Sequence, residues 1–378
     1  MRNPLIEQFG IEYPIFAFSH CRDVVAAVTN AGGMGVLGAL AFSPAELEME
    51  LAWIDDHVGG RPYGVDVVMP VKTVDRDAGI DEVSDIGSQL RAHIPQTHWD
   101  YTDKILADHG VDLAGTSSEM EAGAGLGAGV LGWTAATGAP QIDIALSHPI
   151  ALLASALGPP PKAAIDQAHE QDVQVAALIG RAAQAERDVA LGVDMVIAQG
   201  YEAGGHTGEI ASMVLVPDVV DAVAPVPVLA AGGIGTGRQM AAAMALGASG
   251  VWTGSIWLTT TENGTAGVVT EKLLAATSTD TVRSRAYTGK PARQLRTAWT
   301  DAWEAADSPG PLPMPLQFIL NSYAAQKMGS HPPRELVGMP VGQIVGRMNQ
   351  VRSARQVVFD LVEEYGDVTQ RLNAELEG

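Results

Sequence analysis

The segment MVIAQGYEAGGHTG at residues 195–208 joins a short apolar run to a glycine-rich loop that contains one histidine, His206. Such a run followed by glycines is typical of a buried parallel strand and the loop at its carboxyl end. The glycines on both sides of His206 allow the backbone to come close to a flat ligand. Because a neutral imidazole can accept a proton near pH 7, we predict that His206 is a catalytic base. The alternative is a packed or surface histidine without a chemical role.

Two further glycine-containing turns extend this pattern along the chain. The segment AAGGIGTG at residues 230–237 leaves another apolar run and opens a helical pattern, and Gly254 and Ser255 end the next run. Backbone N–H groups in such a loop, and the positive end of the helix that follows, attract an anion. In barrels of alternating strands and helices, the loops after the last two strands are the usual phosphate site. We therefore predict phosphate binding at Gly232, Gly233, Gly254 and Ser255, the alternative being tight turns that merely require glycine.

The rest of the chain repeats short apolar runs, most of them followed by a helical pattern. This alternation of strand and helix patterns is typical of parallel strands joined by crossover helices. About eight such units predict an α/β fold, the TIM (β/α)8 barrel. Strands are predicted near residues 14–17, 35–40, 64–69, 142–146, 173–179, 194–198, 226–230 and 250–253. Helices are predicted over residues 23–31, 44–57, 182–191 and 236–246, and a capping box at Ser43 and Glu46 opens the second of them.

Two regions interrupt this alternation of strand and helix patterns. Residues 72–140 are charged at first and then rich in glycine and alanine, which predicts an insertion after the third strand that is too long for a simple crossover. Residues 262–378 carry helical patterns, broken by the proline-rich segment SPGPLPMP at 308–315, and end in an amphipathic helix near 353–364. We therefore expect residues 1–261 to form the barrel with its insertion. Residues 262–378 should form a smaller, largely helical C-terminal domain that packs on one side of it.

Composition and charge argue against several classes of protein. The chain of 378 residues has a net charge of −21 and lacks a Lys/Arg cluster that could neutralise several phosphates, so we expect no nucleic-acid partner. No apolar run approaches the roughly 18 residues that cross a bilayer, and the first residues lack a signal-peptide pattern. We therefore expect a soluble, cytoplasmic protein without a membrane partner. The nine histidines and the one cysteine lack the spacing of a zinc site, which predicts no metal.

Three other chemically active side chains fall near predicted strand ends. Asp66 lies inside the apolar strand 64–69, where a carboxylate needs a partner, and we favour a ligand contact over a salt bridge inside the barrel. His20 follows the first strand and is a candidate polar contact in the pocket. Cys21 precedes a helix whose N-terminus could stabilise a thiolate, but no cysteine-hydrolase pattern accompanies it, so we do not expect a nucleophile.

Two segments match the letters GxGxxG of a dinucleotide fingerprint, at residues 33–38 and 127–132. The first follows a helical pattern and runs into a strand, whereas the fingerprint must leave a strand and open a helix. The second lies in the low-complexity insertion. Neither is interpreted as a nucleotide site.

Several segments together resemble the nitronate monooxygenases, formerly called 2-nitropropane dioxygenases. They are NAGGMG at 30–35, GVD at 64–66, AQGYEAGGHTG at 198–208, AGGI at 231–234, Gly254 with Ser255, GKPAR at 289–293 and the prolines at 311–315. The resemblance spans most of the chain, and the loop that ends in His206 is its most specific part. That family usually has asparagine where this chain has Asp66.

The resemblance implies an FMN-dependent (β/α)8 barrel. The flavin phosphate would lie on the loops of Gly232, Gly233, Gly254 and Ser255, and the flavin would also contact Ala17, Phe18, Asp66, Gln199, Gly204 and Gly205. Ser19, His20 and Tyr201 would line the substrate pocket, and His206 would face the substrate.

In that family the histidine acts as a base toward neutral nitroalkanes, and the nitronate anion reduces the flavin by single-electron transfer. Oxygen then completes the conversion to a carbonyl compound and nitrite. The implied partners are a small-molecule substrate and O2, and a homodimer is one assembly that we consider.

Three alternatives stay open at this point. The same flavin barrel could serve an FMN-dependent NAD(P)H:quinone or enoyl-thioester reductase, which takes hydride from a nicotinamide. A phosphate-binding isomerase or aldolase without flavin could use His206 as its acid–base group. A small-molecule-binding protein without catalytic activity would give His206 no chemical purpose.

Overall fold

The computed structural model describes residues 3–68, 90–113, 135–265, 267–329 and 331–377. Its strands are β1 (Ile15–Ser19), β2 (Met34–Gly38), β3 (Gly64–Val68), β4 (Leu152–Ala156), β5 (Gln174–Ile179), β6 (Met195–Gln199), β7 (Gly205–His206), β8 (Val228–Ala231), β9 (Gly250–Thr253), β10 (Thr281–Ser284) and β11 (Ala292–Leu295). A closed parallel barrel is formed by β1, β2, β3, β4, β5, β6, β8 and β9 in that order. The predicted TIM barrel is confirmed.

Helices follow most of the barrel strands and cover their outer face. The helices of the described residues, including those of the insertion and the tail, are α1 (Pro4–Phe9), α2 (Arg22–Asn30), α3 (Pro44–His57), α4 (Gln96–Asp108), α5 (Ala135–Ser147), α6 (Lys162–His169), α7 (Ala182–Ala190), α8 (Ser212–Val223), α9 (Gly237–Ala245), α10 (Gly267–Ala275), α11 (Ala298–Trp303), α12 (Leu316–Met328) and α13 (Ala354–Glu377). The four helices predicted in the barrel correspond to α2, α3, α7 and α9. The capping box is present, because Glu46 N–H donates to Ser43 Oγ and Ser43 N–H donates to the Glu46 carboxylate at 2.7 Å.

Apolar side chains fill the amino-terminal end of the barrel. Phe16 of β1 and Met34, the first residue of β2, are completely buried in one cluster with Leu5 and Phe9 of α1. Burying each such side chain stabilises the fold by about 1.5–3 kcal/mol. Since α1 packs against the beginnings of the strands, the open end of the barrel lies where the strands end.

The expectation of a strand at residues 142–146 is wrong. These residues lie in α5, and the fourth strand follows as β4. Alternating Ile142, Ile144 and Leu146 imitate a strand, but Ile142, Ala145 and Leu146 share one helical face and pack in the same cluster as Leu47 of α3. The apolar residues of this short run are compatible with both a strand and a helix. Packing against α3 favours the helix.

The C-terminal segment contains a small antiparallel sheet that the sequence patterns did not reveal. Its strands lie in the order β10, β11, β7, and β7 belongs to the loop after barrel strand β6. In this sheet Ala292 pairs with His206 and Arg293 pairs with Gly205. The tail is thus hydrogen-bonded directly to the loop that carries the predicted base.

The described part of the insertion packs against the tail. Ile105 and Leu106 of α4 share an apolar cluster with Trp299 and Trp303 of α11 and with Leu320 of α12. Much of the expected insertion, including the GxGxxG match at 127–132, lies outside the described residues. The division at residues 261 and 262 stays a proposal, and this shared cluster supports a tail that packs with the inserted helix.

The last helix is longer than expected and crosses α9 at close range. A Cβ atom placed on Gly237, the first residue of α9, would lie 2.2 Å from the backbone nitrogen of Tyr365 and 2.4 Å from the carbonyl oxygen of Leu361. Only a residue without a side chain permits this backbone approach.

We expect Gly237→Ala to destabilise the protein by about 1–3 kcal/mol or more, because the methyl group must push α13 away from α9. The measurement is the midpoint of urea or thermal unfolding. Gly366→Ala is the matched control, because no atom lies within 4 Å of a Cβ at that position of α13, and alanine favours a helix. Equal midpoints for Gly237→Ala and the unsubstituted protein would contradict the close contact.

Candidate active site

A cavity of about 1200 Å³ opens at the carboxyl ends of the barrel strands, between the barrel and the C-terminal segment. The predicted site residues that line it are Phe18, Ser19, His20, Asp66, Gln199, Gly204, Gly205, His206, Gly232, Gly233, Gly254 and Ser255. The fold therefore brings together in one cavity residues that are far apart in the sequence.

Two predicted site residues, Ala17 and Tyr201, are not among the residues that line the cavity. Ala17 alternates with Phe16 and Phe18 along β1, so its side chain points outward and is buried with Val24 of α2. The ring of Tyr201 is covered by the guanidinium group of Arg293, which lies 4.6 Å from its centroid. Tyr201 therefore supports the loop rather than presenting its ring to the cavity.

His206 lies on the half-buried β7, beside the tail. Its ring nitrogen Nδ1 is 3.3 Å from the carbonyl oxygen of Pro291, a distance that suits an Nδ1–H donor. In that tautomer Nε2 carries the lone pair and is the nitrogen that accepts a proton. Backbone pairing and this hydrogen bond together fix the orientation of the imidazole.

The surroundings of His206 favour its neutral form. Desolvation lowers the pKa of His206 to about 4, the hydrogen bond to Pro291 opposes this change, and the cation of Lys290 adds to it. Burial also lowers the pKa of Lys290, whose side chain lines the same cavity. At neutral pH the imidazole is therefore an unprotonated acceptor, although a weaker base than a solvated histidine.

Glu202 and Glu209, which flank His206 in the sequence, interact elsewhere. The carboxylate of Glu202 accepts hydrogen bonds from the backbone N–H of Ser212 at 3.2–3.3 Å. Glu209 is exposed and lies 3.6 Å from Arg283. The two carboxylates thus stabilise the loop and its neighbours, and neither is a cause of the lowered pKa of His206.

Asp66 is a buried carboxyl group of β3 that lines the cavity. It is only 4% exposed, and its Oδ1 atom has no hydrogen-bond partner among the described residues. Burial raises the pKa of Asp66 to about 7. Within the described chain no salt bridge involves it, so the structure favours the ligand contact over the salt bridge, and a protonated Asp66 could donate as asparagine does.

His20 and Phe18 form the wall beside β1. The Nδ1 atom of His20 lies 2.9 Å from the carbonyl oxygen of Gly38, and desolvation lowers the pKa of His20 despite that bond. The ring of Phe18 packs edge-on against His20 at 5.1 Å and stacks on Trp252 at 6.2 Å. His20 therefore presents a neutral, oriented ring to the cavity.

The glycine loops offer backbone donors at one end of the cavity. Gly232 and Gly233 have φ values of 102° and 68°, two consecutive left-handed residues that glycine adopts without strain. Consecutive amides in turns of this kind can form a concave anion site. Gly254 and Ser255 line the same cavity after β9.

The N-terminus of α9, which the sequence suggested as part of the anion site, already has a carboxylate partner. Glu364 of α13 accepts from the backbone N–H of Gly237 at 2.7 Å and from Nε of Arg238 at 2.7 Å. This arrangement satisfies the helix dipole within the protein. The phosphate expectation is therefore restricted to the two glycine loops.

Cys21 is half-buried near the rim of the cavity. Its thiol donates to the carbonyl oxygen of Glu262 at 3.2 Å, and it precedes α2 without making a side-chain cap. Among the described residues no histidine is hydrogen-bonded to this thiol, and the expectation that Cys21 is not a nucleophile stays a prediction.

Sequence reasoning missed the wall that the tail contributes. Lys290, Pro291, Ala292 and Gln294 all line the cavity. The segment 289–293 carried a family resemblance, but no local pattern indicated that it lies beside His206. That proximity follows from the long-range pairing of β11 with β7.

Comparison with known proteins then decides the family. The nitronate monooxygenase family model matches residues 2–364 of the chain. The chain belongs to the nitronate monooxygenase family. It is accordingly an oxidoreductase that acts on small molecules.

Curated relatives extend over nearly the whole chain. It is 54% identical over 380 residues to the Mycobacterium tuberculosis protein named "Putative monooxygenase Rv1533", covering 98% of each. It is 28% identical over 380 residues to a "Probable nitronate monooxygenase" of Staphylococcus saprophyticus, covering 96% of this chain and 97% of that protein.

Solved structures show the same fold at lower identity. The nitroalkane oxidase of Streptomyces ansochromogenes has a TM-score of 0.77 at 24% identity, covering 97% of this chain and 99% of that one. FabK of Thermotoga maritima has a TM-score of 0.72 at 23% identity, covering 99% of both chains.

Neither a membrane-spanning helix nor a metal-ligand cluster is present among the described residues. None of the described helices combines the length and hydropathy that a membrane span requires. The described side chains include no group of three or more His, Cys, Asp and Glu placed to hold a metal ion.

For Asp66 we expect a specific dependence of stability on pH. The pKa of Asp66 is raised in the folded protein, so between about pH 4 and 7 the folded state holds a proton that the unfolded state has lost. The contribution of Asp66 to the free energy of unfolding therefore falls as pH rises from about 4 to 7, by at most about 1.4 kcal/mol per pH unit.

Asp66→Asn should remove this part of the pH dependence, as measured by urea unfolding at several pH values between 4 and 8. Asp56→Asn, on the exposed face of α3, is the control and should leave the profile of the unsubstituted protein. Identical slopes for the protein with and without Asp66 would show that this carboxyl group is ionised or hydrated in the fold.

Proposed function

We propose that this protein is an FMN-dependent oxidase of alkyl nitronates, which uses O2 and forms a carbonyl compound and nitrite. One observation carries the proposal: a neutral, oriented His206 and the glycine loops after β8 and β9 lie in the same cavity at the carboxyl end of the barrel. Membership of the nitronate monooxygenase family supports the chemistry.

The hydrogen-bonding groups that line the cavity suit the proposed cofactor. The loops of Gly232, Gly233 and Gly254 with Ser255 would hold the phosphate through backbone N–H groups, which suits a chain with a net charge of −21. The unpartnered oxygen of Asp66 would contact the flavin, as would the carboxyl end of β6 at Gln199. When bound, FMN would accept electrons from the nitronate and pass them to O2.

The role proposed for His206 is proton removal from neutral nitroalkanes. The hydrogen bond to Pro291 holds the proton on Nδ1 and leaves Nε2 to accept the proton from the substrate carbon. With a pKa of about 4, the imidazole is unprotonated at neutral pH and can accept a proton. It is also a weak base, which gives little driving force for proton transfer from the substrate. We therefore expect preformed nitronates to be better substrates than neutral nitroalkanes.

We expect His206→Asn to lower the turnover of a neutral nitroalkane about 100-fold or more, since general-base catalysis typically contributes at least that factor. Turnover of the preformed nitronate should fall far less, because no carbon-bound proton must be removed. Initial rates of oxygen consumption with nitroethane and with its nitronate provide the measurement. His169→Asn, at an exposed pair with Asp194, serves as the control, and equal losses on both substrates would argue against His206 as the base.

The test of the cofactor is the visible absorption spectrum of the purified protein, followed by identification of the released chromophore. We expect a flavin spectrum and released FMN. A colourless protein that fails to take up added FMN would contradict the proposal.

A second candidate function is reduction of a quinone or an enoyl thioester by NAD(P)H. The size of the cavity favours it, because about 1200 Å³ exceeds the roughly 300–1,000 Å³ of most ligand sites and leaves room for a second large ligand beside FMN. Anaerobic mixing separates the candidates. Rapid bleaching of the flavin by NADH or NADPH, with none by nitronate, would reject nitronate oxidation in favour of the reductase.

A further inference from the structure

Gln294 on β11 carries a buried side-chain amide. Its side chain lines the cavity and is only 1% exposed, and neither Oε1 nor Nε2 has a partner among the described residues. Native proteins rarely bury an amide in this state, because its lost hydrogen bonds to water are not replaced. The side chain is therefore arranged for a partner that enters the cavity.

The strand register places Gln294 close to His206. Ala292 pairs directly with His206, and directly paired residues of an antiparallel sheet project to the same face. Gln294 lies two residues further along β11 and returns to that face, whereas Arg293 projects to the other face and covers Tyr201. The diagonal separation of such residues is about 7–8 Å, and the small Ala292 between them leaves space for a ligand.

The wall that carries Gln294 differs from the one assigned to FMN. The proposed cofactor contacts lie on the barrel strands and the loops that follow them, while Gln294 and Lys290 come from the tail. A ligand that contacts both His206 and Gln294 thus lies between the barrel and the tail, where the substrate must approach the base.

We propose that Gln294 binds the substrate by donating a hydrogen bond from Nε2 to the oxygen that becomes negatively charged. This inference rests on the proposed function. When the C–H bond breaks, the proton moves to His206 Nε2 and the electron pair of that bond moves toward the nitro group, so its oxygens gain the charge of the nitronate. The amide N–H of Gln294 stabilises that charge, and the cation of Lys290 in the same cavity favours it electrostatically.

The experiment compares Gln294→Met with the unsubstituted protein, because methionine keeps the length of the side chain and removes both hydrogen-bonding atoms. With FMN bound, the KM for ethylnitronate should rise about tenfold or more, the loss expected for a hydrogen bond to a charged group. Propionate has the same planar arrangement of two oxygens but does not react, and its Kd, measured by calorimetry, should rise by a similar factor. The unfolding temperature without ligand should stay the same or increase, since an unsatisfied buried amide has been removed.

Two further variants make the test specific. Gln294→Glu keeps the shape and replaces the donor with a carboxylate, so it should weaken propionate binding more than methionine does. Gln343→Met changes an exposed glutamine outside the cavity and should leave the KM and the Kd unchanged.

Three outcomes would overturn the assignment. One is an unchanged KM and propionate Kd in Gln294→Met with FMN bound. Another is loss of FMN from Gln294→Met with an unchanged KM after reconstitution, which would make Gln294 a cofactor contact. The third is a lower unfolding temperature for both Gln294 variants with normal substrate affinity, which would make the amide structural. Failure of the proposed function is distinct, because it would be seen in the unsubstituted protein as absence of FMN or of nitronate oxidation.

Discussion

The pairing of β7 with β11 is the contact on which the arrangement of this site depends. A strand of only two residues, Gly205 and His206, would not hold its position alone. Arg293 stabilises it from the opposite strand, because its guanidinium stacks 4.6 Å from the centroid of Tyr201 and its Nε donates to the carbonyl oxygen of Tyr201 at 3.2 Å. Arg283 covers the ring as well, at 5.5 Å, and donates to the backbone of the same loop. The orientation of the proposed base is thereby set by the tail of the chain.

The interior of the site departs from the usual rule that buried polar groups are hydrogen-bonded. Asp66 and Gln294 are both almost completely buried, and both carry side-chain atoms without partners in the described part of the chain. Burying each of these unpartnered polar groups lowers the stability of the fold, and burial of the apolar core of the barrel offsets this loss. Such departures are expected at ligand sites, where the missing partner is supplied on binding. Both line the same cavity, Asp66 from the barrel and Gln294 from the tail.

The charge distribution of this acidic chain bears on the anion site that we propose. The chain has 44 acidic and 23 basic residues, a net charge of −21, and its proposed anion site uses backbone N–H groups. Arg238, which directly follows the glycine loop in the sequence, is held by Glu364, which also occupies the end of helix α9. Lys290 is a cation that lines the cavity and acts electrostatically on His206, the proposed base.

The sequence by itself determined the barrel, most of its strands and the residues at their carboxyl ends. These features are local: short apolar runs, caps and glycine turns act within a few residues of one another, and parallel strands bring their ends to a single rim. Only the tertiary structure decided that residues 142–146 are helical, that Tyr201 is covered by arginines and that Glu364 occupies a helix end. The tertiary structure alone placed Gln294 on the same face of the small sheet as His206. These contacts join segments far apart in the chain, and they depend on which faces pack together, which no local pattern encodes.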